Sequence, residues 1–454
     1  MCKIQVSVPL LAGVMAFGQQ QDSTRTSDID EIIIGRYIRK NSSYSNKMPL
    51  KAIEDPQVYS SIDKAVLEDQ LITNVDDAFR NVTGVQRMWS ATNRAGDGGS
   101  FINLRGFVGS SSLRNGMIAP VTTVADAINI EKVEVLKGPA ATLFGSSVTS
   151  YGGLVNRVTK KPAKDFRGTI SLLGGSYHFY RVQADVNAPL TKDKSLLFRL
   201  NAAYTNQGTF QKEDAKNEYY AFTPALTFRP NDRLELNAEL EIFQSNAYPE
   251  TGFFFYFPSS VLGFDNMKDA KNFGYDYQQS YMGDGLKTQA KVHNLFGEIG
   301  YKINNNIKST TNVSSSYSYS DGFNPYFYMA PKAAATGNPA DTEIGVVRAD
   351  QSTVDSKSTY FQIQQNLNFD YSFGHGMRNR TVAGFDFMRR NDDQHFIFAN
   401  FDWVPFQGAD YSSMNAASVA ALYEGLKNTP GYNFDANNTY PSLGKKRLLQ
   451  RLRF

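Results

Sequence analysis

The second half of the chain is dominated by a two-residue alternation of apolar and polar side chains. Leu196 and Phe198 fall on one face of such a segment, and Arg199 and Asn201 fall on the other. This period predicts strands that are exposed to different surroundings on their two faces. Each segment has about ten residues, the length of a tilted membrane-spanning strand. The clearest segments are 178–188, 195–205, 220–228 and 233–243.

The connections between these segments alternate in length, which favours a membrane barrel over a soluble sheet sandwich. Short turns and long polar-aromatic loops follow one another, as in outer-membrane barrels with short periplasmic turns and long extracellular loops. A soluble sandwich has no reason to place every long loop at one end. The short turns are 189–194, 229–233, 303–308 and 373–380. The long loops are 206–218, 245–289 and 320–356.

The face of this sheet that is predicted to line the barrel carries many charges, so the lumen must hold water or a polar plug. These charges are Arg181, Arg199, Glu235, Glu239 and Glu241. Nine strands can be placed by Arg390, whereas plugged barrels are the largest ones, with about 22 strands. The sequence therefore predicts an α+β plug domain at 51–163, followed by an incomplete antiparallel barrel at 166–454 with about 9–11 of an expected 22 strands.

The N-terminus resembles an export signal. Lys3 precedes an apolar run at 6–17, which is too short to span a bilayer, and the small residues Ala16 and Gly18 have the A-x-A-like spacing of a cleavage site. We expect a signal peptide at 1–18, with a buried strand or helix as the alternative. The extension at 19–50 is polar except for an apolar island at 30–35, which could be a partner-binding strand or the first strand of the next domain.

Residues 51–162 mix helical and strand patterns. A helix is predicted within 74–86, because Val75, Ala78, Phe79 and Val82 share one helical face, and Gly84 is expected to end it. Strands are predicted at 101–107 and 131–138.

Composition excludes several functional classes. The net charge of +3 offers no field for nucleic acid, and Cys2 is the only cysteine, so no disulfide or zinc–cysteine cluster can form. The four histidines lack metal-ligand spacing. Aromatic residues make up 13% of the chain although the mean hydropathy is −0.40, which fits strands with alternating faces. There is no G-x-S-x-G motif, so an enzyme is not expected.

The Gly- and Ser-rich stretch at 134–162 is predicted to be folded. A phosphate-binding loop needs G-x-x-x-x-G-K-[ST], but six residues separate Gly138 from Gly145, and Ser146 stands in place of the lysine. A flexible linker would not carry this many Val and Leu residues.

At this stretch the chain resembles the plug domain of TonB-dependent outer-membrane receptors of the ferric-siderophore branch. The sequence IEKVEVLKGPAATLFGSSVTSYGGLVNRVTKKP is similar to the plug signature, and NVTGVQ, INLRGF and LRNGM match in order. DEIIIG resembles a TonB box. The resemblance implies a receptor in the Gram-negative outer membrane that binds a ferric siderophore and the TonB energy-transducing complex. Iron would enter only within a transported chelate, so no cofactor is expected.

The resemblance also assigns roles to residues. The TonB box would be Asp30, Glu31, Ile32, Ile33, Ile34 and Gly35. The structural plug signature would be Arg105, Gly106, Glu134, Lys137, Gly138, Pro139, Gly145, Gly152, Gly153 and Asn156. Of the charges in this region, Glu134, Lys137, Arg105 and Arg157 would face charges of the barrel wall. Candidate ligand contacts are Trp89, Arg94, Arg114, Tyr248, Phe253, Phe254, Phe255 and Tyr256, because aromatic rings and arginine suit an anionic or catecholate chelate.

The chain departs from this family in length. After Arg390 we expect one further loop-like region and a basic tail at 444–454 that does not alternate as a terminal strand does, which is typical of a truncated or frameshifted receptor. Alternatives are import of a carbohydrate, a peptide or a cobalamin-type cofactor by the same architecture, or a non-functional receptor fragment.

Overall fold

A computed structural model describes residue 44 and residues 58–96, 98–110, 113–138, 151–212, 214–250, 252–374, 377–427 and 448–450. The expected signal peptide at 1–18 and the apolar island at 30–35 lie outside the described residues.

The described residues of the plug domain form two small sheets and two short helices. Its strands are β1 (Val58–Asp63), β2 (Val85–Trp89), β3 (Phe101–Leu104), β4 (Phe107–Ser110), β5 (Leu113–Arg114), β6 (Met117–Ile118), β7 (Ile130–Lys137) and β8 (Gly153–Thr159). Its helices are α1 (Lys64–Asp69) and a 3₁₀ helix (Val75–Asn81). The sheet orders are β1-β7-β8-β5-β6 and β2-β3-β4.

Two plug elements are shorter than their sequence pattern predicts. The helix expected within 74–86 is the 3₁₀ helix Val75–Asn81: the Asn74 side chain caps its first turn, and the extended backbone of Val82 ends it before Gly84 is reached. The strand expected at 101–107 is instead a hairpin. Arg105 and Gly106 both have positive φ, the conformation of a two-residue hairpin turn.

The wall is an antiparallel meander of nine long strands, as the sequence predicts. They are β9 (Arg167–Gly174), β10 (Tyr180–Pro189), β11 (Leu196–Gln207), β12 (Asn217–Asn231), β13 (Leu234–Ala247), β15 (Thr288–Lys302), β16 (Ile307–Gly322), β18 (Ile344–Ser372) and β19 (Arg378–Asp393). Each of them pairs with the next one along this series, and within the described residues the sheet is not closed. The wall's two ends are called here the turn end and the loop end, after their short and long connections.

The two faces of the wall follow the predicted alternation. Arg181 and Glu241 are buried against the plug, whereas Phe222 and Leu226 are exposed on the outer face. Arg181 and Glu241 are therefore neutralised by plug residues, and the apolar residues are directed away from the plug.

A folded lobe rises from the loop end of the wall. This upper lobe comprises 252–287, 323–353 and 396–427. Its strands are β14 (Phe253–Phe254), β17 (Pro325–Pro331), the first part of β18 and β20 (Phe396–Pro405). Its helices are α2 (Ser259–Leu262), α3 (Met267–Ala270), α4 (Ala333–Thr336), α5 (Ala416–Lys427) and two 3₁₀ helices (Lys271–Phe273 and Tyr411–Ser413).

The upper lobe corrects two sequence predictions. The loop expected at 320–356 contains β17 and the beginning of β18, which pair with each other and bury Phe327, Met329 and Val346 in the core of the lobe. The region after Arg390 was expected to be loop-like, but it forms β20 and α5. In the basic tail, β21 (Leu448–Gln450) pairs with the end of β19, so these three residues do form a strand.

None of the helices in the described ranges is long and apolar enough to span a membrane.

Candidate ligand cavity and plug–wall interface

Two plug arginines meet two wall glutamates at the centre of the interface. Arg114 and Arg157 are in register on the parallel pair β5 and β8, so their side chains lie side by side. Glu239 and Glu241 are two residues apart on β13 and therefore share its inner face. The pairing of β5 with β8 therefore places the two arginines side by side in the plug, and the two-residue period of β13 places the two glutamates side by side on the wall opposite them.

The contacts in this cluster are short and buried. The guanidinium of Arg157 donates from Nη1 to Glu241 Oε1 at 3.0 Å, and Arg114 donates from Nη2 to Glu239 Oε2. Arg114 Nε also lies 3.5 Å from Glu241 Oε1. Burial lowers the pKa of Arg157, and Glu241 opposes that shift. In this setting each charge depends on its partner, so losing one leaves the other uncompensated.

A second ion pair joins the plug to the wall near the loop end. Arg181 of β10 donates two hydrogen bonds to the carboxylate of Asp126 in the plug, at 2.7 and 2.8 Å. It donates a third to Thr205 Oγ1 at 2.7 Å. The two-pronged geometry fixes the orientation of the guanidinium and the position of the plug beneath it.

The plug signature residues divide between the interface and the plug interior. Arg157 faces the wall as expected, but Glu134 contacts Lys132 at 2.7 Å and Asn156 at 2.9 Å, both within the plug. The expectation that Glu134 would face a wall charge is therefore corrected: β7 and β8 bring it opposite Asn156. Arg105 lies exposed in the β3–β4 turn.

Lys137 is half-buried and donates to Thr83 Oγ1 at 3.4 Å, so it too makes a contact within the plug.

The signature glycines allow close approach of backbones. A Cβ at Gly153 would lie 1.9 Å from the Leu136 carbonyl oxygen, and one at Gly152 would lie 2.1 Å from the Leu104 carbonyl oxygen. Only glycine fits where these segments cross. Pro139 and Gly145 lie outside the described residues.

A cavity of about 640 Å³ lies above the Arg181–Asp126 pair. The plug forms its floor, the loop ends of β10 to β12 form its side, and the upper lobe with the preceding loop forms its roof. Floor residues include Asn74, Asp77, Arg87, Asn93 and Asp126. Side residues include Tyr177, Arg181, Gln207, Phe210 and Lys212. Roof residues include Tyr248, Glu250, Phe253, Phe255, Met267, Tyr275, Tyr277 and Met282.

The predicted aromatic residues at 253–256 lie alternately on two faces of an extended segment. Phe253 and Phe255 line the cavity. Phe254 and Tyr256 lie on the opposite face, where their rings stack at 5.8 Å and contact Tyr326 and Tyr328 of β17. Alternate residues of one short segment thus serve different surfaces.

Tyr248 is held in place at the edge of the roof. Its hydroxyl accepts a hydrogen bond from the Gly285 N–H at 2.9 Å. The Nζ atoms of Lys212 and Lys287 lie 5.7 and 5.3 Å from the centre of its ring. The cation–π contact from Lys212 ties the connection between β11 and β12 to the roof.

The three predicted contacts from the plug lie away from the cavity. Arg114 is 1% exposed and belongs to the plug–wall cluster. Arg94 donates to Gln351 of β18 at 3.4 Å, and Trp89 packs on Phe101 with ring centres 5.1 Å apart. The structure therefore brings together only part of the predicted set.

Charges around the cavity are balanced and paired. Arg87 lies 3.3 Å from Asp77 and 3.9 Å from Glu250, which links the floor to the roof. Lys212 pairs with Asp284 at 2.6 Å, in addition to the Arg181–Asp126 pair. Selection of a ligand by net charge is therefore not favoured, and the exposed rings dominate the rim.

Sequence reasoning missed several cavity residues. Phe210 and Tyr277 are among the exposed rings, and their centres lie 6.2 Å apart across two different loops. Both residues lie in the predicted long loops, so an aromatic side chain in such a loop is the sequence feature that could have identified them as cavity residues. Arg87 and Asp126 carried no comparable signal, because strand pairing far along the chain places them. Within the described part of the chain, no group of three or more His, Cys, Asp or Glu side chains could hold a metal ion.

Comparisons with known proteins agree with this architecture. Residues 51–150 match the family described as TonB-dependent Receptor Plug Domain. Over 299 residues the chain is 26% identical to the ferrichrome outer membrane transporter/phage receptor of Escherichia coli (strain K12), covering 62% of this chain and 37% of that protein. It is 33% identical over 194 residues to the catecholate siderophore receptor Fiu of the same strain, covering 42% of this chain and 25% of that receptor.

The fold is also similar to solved structures. The closed form of the ferric-catecholate import receptor Fiu from E. coli K12 superposes with a TM-score of 0.68 at 21% identity, covering 83% of this chain and 53% of that one. The chain therefore spans only a quarter to about a half of the proteins it matches.

The fold and the plug motifs define a class. Residues 51–150 match the TonB-dependent receptor plug domain, and the antiparallel wall that follows them has the fold of the solved ferric-catecholate import receptor Fiu. This confirms the class and the fold that the sequence predicts. TonB-dependent receptors are non-enzymatic proteins of the outer membrane, and the relatives of this chain are siderophore receptors.

Proposed function

We propose that the chain functions in an outer-membrane receptor that imports a ferric siderophore with energy supplied through TonB. The cavity between the plug and the roof carries this proposal. Its volume of about 640 Å³ falls within the ~300–1,000 Å³ usual for small-molecule sites. The names of the relatives, which refer to ferrichrome and to catecholate siderophores, support this class of ligand.

The geometry supplies a reason for coupling ligand to plug. A molecule in the cavity touches plug residues beneath it and loop residues above it. Arg87 already bridges the two, through Asp77 below and Glu250 above. Occupancy of the cavity therefore changes the surroundings of a plug residue directly.

The partner-binding role remains assigned to the island at 30–35. Three consecutive isoleucines favour an extended strand that can add to the edge of a partner sheet. Export would follow from the signal expected at 1–18. Iron is cargo within the chelate.

A second candidate is a receptor for a neutral oligosaccharide. The balanced charges of the cavity favour it, because an uncharged ligand needs no excess of cations. Exposed rings such as Phe255 and Tyr277 can also pack on the apolar faces of sugars.

Two neighbouring phenylalanines allow a matched test. Phe255 lines the cavity and is 49% exposed, while Phe254 lies on the opposite face and is 42% exposed. Calorimetric titrations of the full chain in detergent would use a ferric tris-catecholate, a ferric trihydroxamate, the iron-free catecholate and a maltooligosaccharide. Loss of one stacked ring costs about 1.5 kcal/mol, so Phe255→Ala should weaken ferric-chelate binding about tenfold. Phe254→Ala should leave it unchanged.

Equal effects of the two substitutions would contradict the assignment of the cavity. Binding of the oligosaccharide alone would favour the second candidate.

A further inference from the structure

The cavity roof is one side of a hydrophobic core that is separate from the core of the plug. Five roof residues pack on it: Tyr248, Phe253, Met267, Tyr275 and Met282. Its buried members include residues of β17, β18, β20 and α5, and Met329, Val346 and Val419 are fully buried. The roof is therefore the surface of a packed body.

Arg348 of β18 lies at the centre of the upper lobe and is 0% exposed. Its guanidinium donates to both carboxylate oxygens of Asp402 on β20, at 2.6 and 2.5 Å. It also donates to the Tyr411 carbonyl oxygen and Ser413 Oγ at 2.8 Å, and to the Tyr281 carbonyl oxygen at 3.2 Å. All five N–H groups of the side chain therefore have acceptors.

These bonds join four segments that are distant along the chain. The bond to the Tyr281 carbonyl is the one that reaches the roof. The Tyr281 ring packs on Phe253 with centres 5.5 Å apart, and its neighbours Ser280 and Met282 both line the cavity. The planar fork of an arginine fixes such a junction in one orientation, which a lysine cannot do.

We propose that the Arg348–Asp402 pair positions the roof, so that the loop at 252–287 is held in its ligand-binding arrangement before any ligand arrives. This inference rests on the proposed function and adds an explanation of how the receptor obtains its affinity for the ferric chelate. A site that is already ordered loses less conformational freedom on binding. Freeing the roof reduces the fraction of binding-competent molecules and weakens the apparent affinity by that fraction.

The first measurement needs no ligand. Lys268 and Lys271 lie exposed within the loop, so trypsin cleavage there reports its local opening. In the full chain in detergent, Arg348→Met should accelerate this cleavage at least about tenfold, and Arg348→Lys should have an intermediate effect. Cleavage at Lys192 and Lys194, in a turn at the opposite end of the wall, should not change.

A matched control uses the Arg378–Asp370 pair. It has the same two-pronged geometry but lies exposed at the turn end. Arg378→Met should alter neither the cleavage of the roof loop nor binding.

The second measurement is affinity for a ferric tris-catecholate, which a purely structural role would leave unchanged. Arg348→Met should weaken its dissociation constant at least about tenfold, with Arg348→Lys in between, and the bound chelate should restore protection of Lys268 and Lys271. If Arg348→Met accelerates trypsin cleavage of the roof loop but leaves the affinity for the chelate unchanged, the positioning role is overturned. It is also overturned if the rate of cleavage does not change. Failure of the unaltered chain to bind any ferric chelate would contradict the proposed function, while the trypsin rates would still decide whether the pair fixes the loop. If Arg348→Met fails to fold, Arg348→Lys decides both points.

Discussion

Replacing Glu241 by glutamine removes the charge that both plug arginines face. The substitution keeps the volume of the side chain and one oxygen acceptor, but its NH2 group replaces an oxygen that now accepts from Asn294 or from Asn129 and Arg157, so a buried acceptor is lost together with the charge. Arg114 retains Glu239 as a partner, whereas Arg157 loses the only carboxylate within ion-pair distance that the described residues give it. Breaking one fully buried pair costs about 3–5 kcal/mol, and that is the expected loss of plug stability.

A control on the same strand separates this effect from a general loss of charge. Glu235 also lies on β13, but it pairs with Arg229 of the wall at 2.9 Å, and both side chains are about one-third exposed. Pairs of this kind contribute about 0–1 kcal/mol. Glu235→Gln should therefore leave the plug almost unaffected.

Tryptophan fluorescence can follow the plug by itself. Trp89 lies in β2 of the plug and Trp403 lies in β20, so a Trp403→Phe background leaves one reporter. Urea titration in detergent should show the free energy of plug unfolding falling by about 3–5 kcal/mol in Glu241→Gln. A loss below about 1 kcal/mol, or one equal to that of Glu235→Gln, would refute the interpretation of the interface.

Three further predictions concern the plug and its N-terminal extension. Burial raises the pKa of Asp76 above its ordinary value of 3.8, so the folded plug binds a proton more tightly than the unfolded plug and loses stability as pH rises through the raised pKa. In urea titrations, Asp76→Asn should therefore stabilise the plug at pH 7 and flatten this pH dependence, whereas an effect no larger than that of Asp77→Asn would argue against a buried Asp76 charge. Gly153→Ala should prevent the plug from folding, whereas Gly297→Ala should be tolerated because no atom lies within 4 Å of the new methyl group. A native circular-dichroism spectrum and melting curve for Gly153→Ala would exclude the close approach of Gly153 to the Leu136 carbonyl oxygen. In a full-length version of the receptor, Ile33→Pro should abolish energised uptake but not ligand binding, and normal uptake of radiolabelled iron would remove the TonB-box assignment.

The wall could be predicted from the sequence because its signal is local. A two-residue period needs only neighbours along the chain, and it correctly separates Glu241 from Ile242. The upper lobe was missed although part of its signal was present. Val419, Leu422, Tyr423 and Leu426 follow the spacing of one helical face in α5. The length of the segment at 320–356 indicates a loop, whereas the alternation of its side chains at Pro325–Pro331 is that of a strand.

The parts of the site that depend on residue type could be predicted from the sequence, whereas the parts that depend on which strands pair could not. Exposed aromatics in long loops indicated the roof, and the strand period could have separated Phe255 from Phe254. Arg114 belongs to the plug–wall cluster and not to the ligand contacts, because its strand pairs in parallel with β8, which lies 43 residues further along the chain (157 − 114). No local pattern shows such a neighbour.

Locating bound iron tests the central proposal most directly. Crystals of the full chain grown with a ferric tris-catecholate can be measured on both sides of the iron absorption edge. We predict an anomalous peak inside the cavity, between the rings of Phe255 and Tyr277 above and Arg87 below. A peak on the Phe254 face, or a cavity that contains no iron at a saturating concentration of the chelate, would contradict it.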